Sequence, residues 1–600
     1  MKPLNHSLDL AVIGNAQISA LVDQRGAIVW SCMPRPDSDP VFARLLATPA
    51  KPAHAAAFAI ELRNLKSSKQ YYERNTAIVV TELTDSAGAT VRITDFCPRF
   101  RLYGRIYHPV TLVRIIEPLK GRPLVRVHCK PHAHFGAQPI RPMRGSNHLR
   151  YSARDIDLRL TTDIPLTALT DDREFIVTEQ MAMVLAVDEP ISEALLSMAL
   201  KLRESTRHYW HDWVRTLAIP YEWQDEVIRA AITLKLCTYE DSGAVLAALT
   251  TSIPESADSG RNWDYRYCWL RDSYFVVQTL NRLGTTATME SYMRFILNIA
   301  AAAGDDRPPQ PLYSVTGHAA LDEFSVESLD GYRGMGPVRV GNAAYTQIQH
   351  DIYGAVVLAA TQAFFDSRLL QPGDVALFRE LEQLGRHALD SFGSPDAGIW
   401  EFRERAQPHT HSGIMCWAAC DRLARIAARL KLKGRATFWR KHADRIHARI
   451  LKAAWNPKLK SFVSHHGGNA VDAALLLIPE VGFLEATDPK FLSTLARIEK
   501  DLLRGKFLMR YATADDFGEP ESAFNICTFW YINALGATGR KEEARALFEN
   551  MLKHRTKAGL LSEDMHIETG EAWGNYPQTY SLVGIIECAL RLSMPWEKAL

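Results

Sequence analysis

Glu401 stands between two large aromatic side chains in the stretch GIWEFRER, residues 398–405. A solvated surface glutamate gains nothing from such neighbours, whereas apolar surroundings raise the pKa of a glutamate that must hold a proton near neutral pH. A carboxyl of that kind suits general-acid chemistry. Hydrolysis of a glycosidic bond needs a second one, to activate water or attack carbon. Arg403 would oppose the shift if it paired with Glu401. Candidate partners are Asp515, Asp516, Glu519, Glu521, Glu563, Asp564, Glu568 and Glu571. Spacing selects none of them, and each also reads as a helix cap or a surface charge.

A denser cluster is NWDYRYCWLRD, residues 262–272, where aromatic rings surround Arg271 and Asp272 at the start of an apolar helix. Adjacent opposite charges in such a place are rarely left unpaired. They suit a hydrogen-bonding clamp on a polyhydroxylated ligand, with Trp263 or Trp269 as stacking face. A buried ion pair tying loop to helix accounts for the same residues. The histidine pairs His409/His411, His465/His466 and His132/His134 lack third and fourth ligands at metal-site spacing, so no metal and no cofactor are expected. The glycines of VIGNAQ and RVGN make no phosphate loop, and neither GxxxxGK[ST] nor GxSxG occurs.

Two kinds of element must carry these residues. From about 5 to 200 the chain reads as short β-branched or alternating runs, such as AIVVTELTDSAGATVRITDF, punctuated by Arg25-Gly26, Ala87-Gly88 and Lys120-Gly121. That pattern predicts an antiparallel sandwich. Residues 192–219 have helical period and read as a connector. From about 221 onward, amphipathic stretches such as RATFWRKHADRIHARILKAAW alternate with stretches apolar nearly all round, such as YTQIQHDIYGAVVLAATQAFF. The first kind fits an outer layer and the second an inner one, as in a ring of helical hairpins. The polar clusters precede the apolar stretches. Parallel inner helices would bring them to one mouth, with partly positive helix N-termini around it.

The bulk numbers exclude other classes. Six hundred residues exceed one core, and 70 Lys plus Arg against 68 Asp plus Glu give no reason to expect a nucleic acid or anionic membrane as partner. Nine scattered cysteines without a CxxC pair read as reduced thiols. The opening MKPLNHSLDLAVIGNAQ has no charged stretch followed by an apolar run, so a soluble cytoplasmic protein is expected.

Taken together, NWDYRYCWLRDS, GYRGMGPVRVGNAA, GIWEFRE, EPESAFNICTFW and LLSED…GNYPQTYSLVG resemble the motifs of glycoside hydrolase family 15. This is the family of glucoamylases, glucodextranases and bacterial and archaeal trehalases. The N-terminal segment LDLAVIGNAQISALVDQRGAIVW resembles the β-sandwich that precedes the catalytic domain in prokaryotic members. The resemblance implies an N-terminal antiparallel β-sandwich (residues 1–200), a helical linker (201–220) and an (α/α)6 barrel (221–600). It implies an inverting exo-hydrolase that releases β-glucose from an α-glucosyl non-reducing end. By motif, Glu401 matches the general acid, Glu563 the general base, and Arg271 and Asp272 the pair that binds the terminal glucose. Trp269 and Trp400 match subsite walls, and Arg333 and Arg339 further sugar contacts. Inversion places the two carboxyls about 6.5–9.5 Å apart, leaving room for water. Phe402, Glu404 and Gly413 depart from the pattern of close relatives on the leaving-group side.

The expected activity is therefore of glucoamylase type, on oligosaccharides, with α,α-trehalase as the alternative on the same two glutamates. An isomaltose- or dextran-directed enzyme and a non-catalytic sugar-binding protein are further readings. Phosphorolysis has no use for Glu563, and a dead protein would be expected to lose one of the two glutamates.

Overall fold

The computed structural model describes residues 6–153, 156–303 and 308–598. Among them, residues up to Val187 form two large antiparallel sheets. One runs in the order Ala11–Gly14, Ser19–Val22, Ile28–Cys32, Phe58–Leu62, Leu124–Cys129 and Phe175–Ile176, with Pro40–Phe42 on the third strand. The other runs Met143–Arg144, His148–Ser152, Asp157–Thr162, Met181–Val187, Thr111–Lys120, Thr90–Phe96, Val79–Asp85 and Leu65–Tyr72. Period-2 alternation sets which face is buried: Val125, Val127 and Cys129 point inward while Leu124, Arg126 and His128 reach solvent. Ile13, Phe42, Phe58, Ile60, Ile93, Leu112, Ile116, Leu160 and Leu185 fill the space between the sheets.

Helix α1 (Leu195–Arg215) covers the outer face of the second sheet. Leu195 and Ala199 pack on Phe96, Val113, Ile115 and Val184, and Arg207 pairs with Glu73 at 3.0 Å.

The rest is helical: α2 (Gln224–Leu236), α3 (Leu270–Arg282), α4 (Thr286–Ala303), α5 (Asp351–Phe365), α6 (Val375–Ser391), α7 (Thr410–Arg429), α8 (Lys433–Ala453), α9 (Pro489–Leu502), α10 (Asn525–Ala537), α11 (Lys541–Lys553) and α12 (Thr579–Leu592). The two textures of the sequence are two positions in space. α5 is buried nearly all round, whereas α8 buries only Trp439, Ala443, Ile446 and Ile450, one stripe at helical spacing. α3 packs on α5, α5 on α7, α7 on the 3₁₀ segment Ala473–Leu477, that segment on α10, α10 on α12, and α12 back on α3. Small residues allow this. A Cβ at Gly354 of α5 would lie 2.3 Å from the Met415 carbonyl oxygen of α7, and one at Gly584 of α12 would lie 2.2 Å from the Phe529 ring of α10.

The sandwich braces the loop that leads into α3. Trp30 donates its indole N–H to the Leu249 carbonyl (2.9 Å). The fully buried Arg266 binds Asp264 and also the Ser38 carbonyl (2.8 Å). Among the described residues no helix is long and apolar enough to cross a membrane.

Candidate active site

The loops that precede α3, α5, α7, α10 and α12 converge on one cavity. Glu401, Glu563, Arg271, Asp272, Trp263, Trp269 and Trp400 all line it. The convergence expected from the sequence is present because each polar cluster immediately precedes an inner helix.

Glu401 sits on a tight turn closed by the bridge between Asp396 and Gln407. Its backbone is left-handed (φ 58°), an unfavourable conformation for a side-chain-bearing residue that persists only where the surroundings enforce it. The enforcing contacts are donors. Glu401 Oε1 accepts from Trp269 Nε1 (2.7 Å), Arg271 Nη2 (2.9 Å) and Gln349 Nε2 (3.2 Å). The apolar setting expected from its neighbours in the chain is not formed. The Trp400 N–H turns away to Asp472 (2.9 Å), and Phe402 stacks on His409 with centroids 5.8 Å apart. Arg403 does not pair with Glu401 either; it binds Glu323 (2.8 Å) and lies over the Trp263 ring.

Arg271 and Asp272 do not pair with each other. Successive helical residues point about 100° apart, so Arg271 reaches Gln349 (2.8 Å), Asp351 (2.9 Å) and Glu401, while Asp272 faces the cavity. Among the described residues no side-chain donor reaches the Asp272 carboxylate, and burial pushes its pKa up to about 7.

Glu563 precedes the strand Asp564–His566, which pairs with Ser522–Phe524 and Ala572–Trp573. Its Oε1 accepts from the Tyr265 hydroxyl (2.8 Å) and its Oε2 from the Asn575 N–H (3.3 Å). Burial and the neighbouring Glu255 carboxylate push its pKa well above the ordinary carboxylate range, while Tyr265 and Arg510 act in the opposite direction. The Tyr265 ring meets Trp269 edge to face at 5.3 Å. The two glutamates thus hang from opposite ends of one aromatic pair. Gly574 (φ 72°) leaves the space Glu563 occupies; a Cβ there would lie 2.6 Å from Glu563 Cβ and 2.8 Å from its Oε2. Gly574→Ala is expected to lower kcat/KM about 100-fold by displacing this carboxylate, measured by steady-state kinetics on folded protein.

Two expected sugar contacts lie outside the cavity. Arg333 binds Glu571 (2.8 Å) and the His6 carbonyl (2.6 Å), facing the N-terminal segment. Arg339 donates to the Gly260 and Asn262 carbonyls and lies over Trp263, so it supports a lining residue from behind. Four of the other candidate carboxylates have partners: Asp515 binds Arg261, Asp516 accepts from the Arg403 and Glu404 N–H groups, Glu571 binds Arg333, and Glu521 accepts from the Ser256 hydroxyl (3.4 Å), whereas Asp564 is buried next to Glu563 with its Oδ2 unpartnered among the described residues. Sequence reasoning missed Arg510, Glu255, Gln578 and Tyr580 in the lining. The signal for Arg510 was a lone arginine between the apolar run FLM and the acidic loop ADDFGE. Among the described residues no three metal-ligating side chains gather, and burial pushes His409 and His411 down to about 4.

A β-sheet domain joined to a helical domain, with two glutamates facing one cavity, supplies the pair of carboxyls that hydrolysis of a glycosidic bond uses. The chain belongs to glycosyl hydrolases family 15, whose profile matches residues 223–590; a trehalase-like N-terminal profile matches residues 6–188. It is 30% identical to a trehalase of Thermoplasma volcanium over 97% of this chain and 92% of that protein. It is 30% identical to a trehalase of Mycobacterium tuberculosis (98% and 90%) and 31% identical to trehalase 1 of Sulfolobus acidocaldarius (97% and 96%). In fold it is similar to a bacterial glucoamylase solved with acarbose, with a TM-score of 0.67 at 14% identity over 98% of this chain and 94% of that one.

Proposed function

We propose that the protein is an α,α-trehalase acting by inversion, with Glu401 as general acid and Glu563 as general base. The choice of trehalose over the glucoamylase-type activity favoured by the sequence rests on the relatives: those named trehalase align over nearly the whole chain, sandwich included. A walled leaving-group side supports it. Asp516 accepts from the backbone N–H groups of Arg403 and Glu404, and Arg405 donates to the Ala514 carbonyl, clasping two loops beside Glu401. Such a wall suits a disaccharide better than a polymer.

In this mechanism the terminal glucose lies against Trp269, with Asp272 accepting from its hydroxyls. Oε1 of Glu401 is saturated by three donors, so the catalytic proton sits on Oε2. Ionised Glu563 takes a proton from water, the water oxygen bonds to the anomeric carbon, and the C–O bond breaks as Glu401 protonates the departing oxygen. Because the Glu563 pKa is raised, activity increases with pH as that carboxyl loses its proton. The same reading takes the closed circuit of inner-helix contacts as a six-hairpin (α/α)6 barrel over residues 221–600, joined through 201–220 to the sandwich of 1–200.

Proton NMR of fresh digests tests the proposal. Inversion at one anomeric carbon of trehalose leaves the other untouched, so α- and β-glucose appear at once in equal amounts. α-Glucose alone would mean retention. No product from trehalose, with β-glucose released from maltose, would restore the glucoamylase reading.

A further inference from the structure

Two carboxyls complete the hydrolysis and Asp272 faces the sugar, yet a further buried carboxyl that this mechanism does not use is built into the same cavity. Glu255 is 5% exposed and lines the cavity. Its Oε1 accepts from Trp263 Nε1 (3.0 Å), its Oε2 accepts from Arg510, and Arg261 Nε lies 4.0 Å away. The loop that carries it is fixed at both sides. The Glu255 N–H donates to the Arg261 carbonyl (3.2 Å), and the Gly574 N–H donates to the Pro254 carbonyl (2.8 Å), tying this loop to the hairpin of Glu563.

Arg510 depends on this carboxylate. Among the described residues Glu255 is the only side chain that accepts from it, and its Nε–H is buried without an acceptor. A guanidinium held at one point and lining the cavity has terminal N–H groups left for a ligand. Trp263 abuts the segment around the general acid directly, and Arg510 is linked to it through Tyr511, over whose ring it lies at 5.4 Å. Arg403 lies 4.2 Å over the Trp263 ring, and Tyr511, next to Arg510 in the chain, meets Trp400 at 5.9 Å and Phe402 at 5.5 Å. The sugar that Glu401 protonates departs on that side.

We propose that Glu255 is a specificity-determining positioning residue: it fixes the Arg510 guanidinium and the Trp263 ring as one clamp on the leaving sugar. The inference rests on the hydrolytic reading above and deepens it, since it concerns which leaving groups the site accepts. It predicts that loss of Glu255 matters when the leaving group is a sugar and not when it is a small anion.

The test compares trehalose with α-glucosyl fluoride in the full-length protein, for wild type, Glu255→Gln and Glu255→Asp. Glutamine keeps the volume but can accept from Trp263 or Arg510 and not both; aspartate keeps the charge but shortens the reach. Expected are a fall of at least about tenfold in kcat/KM on trehalose for both variants, carried mainly by KM, and fluoride hydrolysis within about threefold of wild type, both compared on the alkaline plateau where Glu563 is ionised, since removing the Glu255 charge also shifts the pH profile of that base. Retained fluoride hydrolysis also reports an intact fold and intact glutamates. An equal loss on both substrates would overturn the proposal by making Glu255 part of the general framework, and no loss on either would overturn it too. A wild-type protein inactive on trehalose defeats the substrate reading instead. The same comparison then runs with whichever α-glucosyl disaccharide the wild type cleaves, and the same ratios decide.

Discussion

Glu401→Gln binds trehalose about as tightly as wild type and turns it over about 10²–10⁴ times more slowly, the range that loss of general-acid assistance commonly costs. The amide is nearly isosteric, and its oxygen can take the place of Oε1, keeping the donors Trp269, Arg271 and Gln349 satisfied. The Arg271 guanidinium therefore keeps its position between Asp351 and residue 401. What is lost is the transferable proton on the other atom. Calorimetric titration of the inactive variant with trehalose, set beside its kcat, separates the two effects. Affinity lost in step with rate would mean that Glu401 binds rather than protonates, and rate retained would place the acid elsewhere. α-Glucosyl fluoride sharpens the result, because fluoride departs with little need of a proton and the variant should recover much of its rate on it.

Glu563→Gln is the second large effect, and it moves activity and stability in opposite directions. Activity falls by a similar or larger factor, since the amide cannot take a proton from water. Azide should restore turnover to Glu563→Ala by attacking the anomeric carbon itself, giving the β-glucosyl azide while Glu401 protonates the departing sugar; absence of that product would argue for a different base. Stability follows from the raised pKa. Folding favours the protonated carboxyl, so its contribution is complete below the ordinary glutamate value of 4.5 and is lost as pH rises toward about 8. Glutamine resembles the protonated form and has no charge to bury. Its Tm should therefore match wild type near pH 4.5 and exceed it increasingly up to pH 8. Parallel Tm curves across that interval would show that residue 563 does not take up its proton on folding.

The distribution of polar and apolar residues carried most of the architecture. Val125, Val127 and Cys129 at period two marked a half-buried strand, and Trp439, Ala443, Ile446 and Ile450 at helical spacing marked an outer helix. These are local properties of the backbone, so a linear string suffices to express them. The placement of chemistry-bearing clusters directly before apolar helices is equally local. It is why Glu401, Asp272, Trp263 and Trp269 were nameable from the chain; Glu563 and Trp400 were singled out by the resemblance to the family, and all six are found around one cavity.

Side-chain partnership was another matter. Arg271 and Asp272 are neighbours in the chain and strangers in space, because a helix turns them apart and Asp351 and Glu401, 80 and 130 residues away, compete for the guanidinium. Arg333 and Arg339 sit among motif residues yet face the N-terminal segment and the back of Trp263. The flanking rings of Glu401 said little about its carboxyl for the same reason: Trp400 gives its N–H to Asp472 and Phe402 stacks on His409, while distant residues supply the donors to Glu401. Glu255 and Arg510, 255 positions apart, became visible as a pair only when the loops closed. Periodicity, turn chemistry and motif order are written along the chain, so the sequence by itself determined the two textures, the family and most of the named residues that line the cavity. Burial, hydrogen-bond partners and the proton affinity of Glu563 depend on groups brought together from distant segments, and only the tertiary structure decided those.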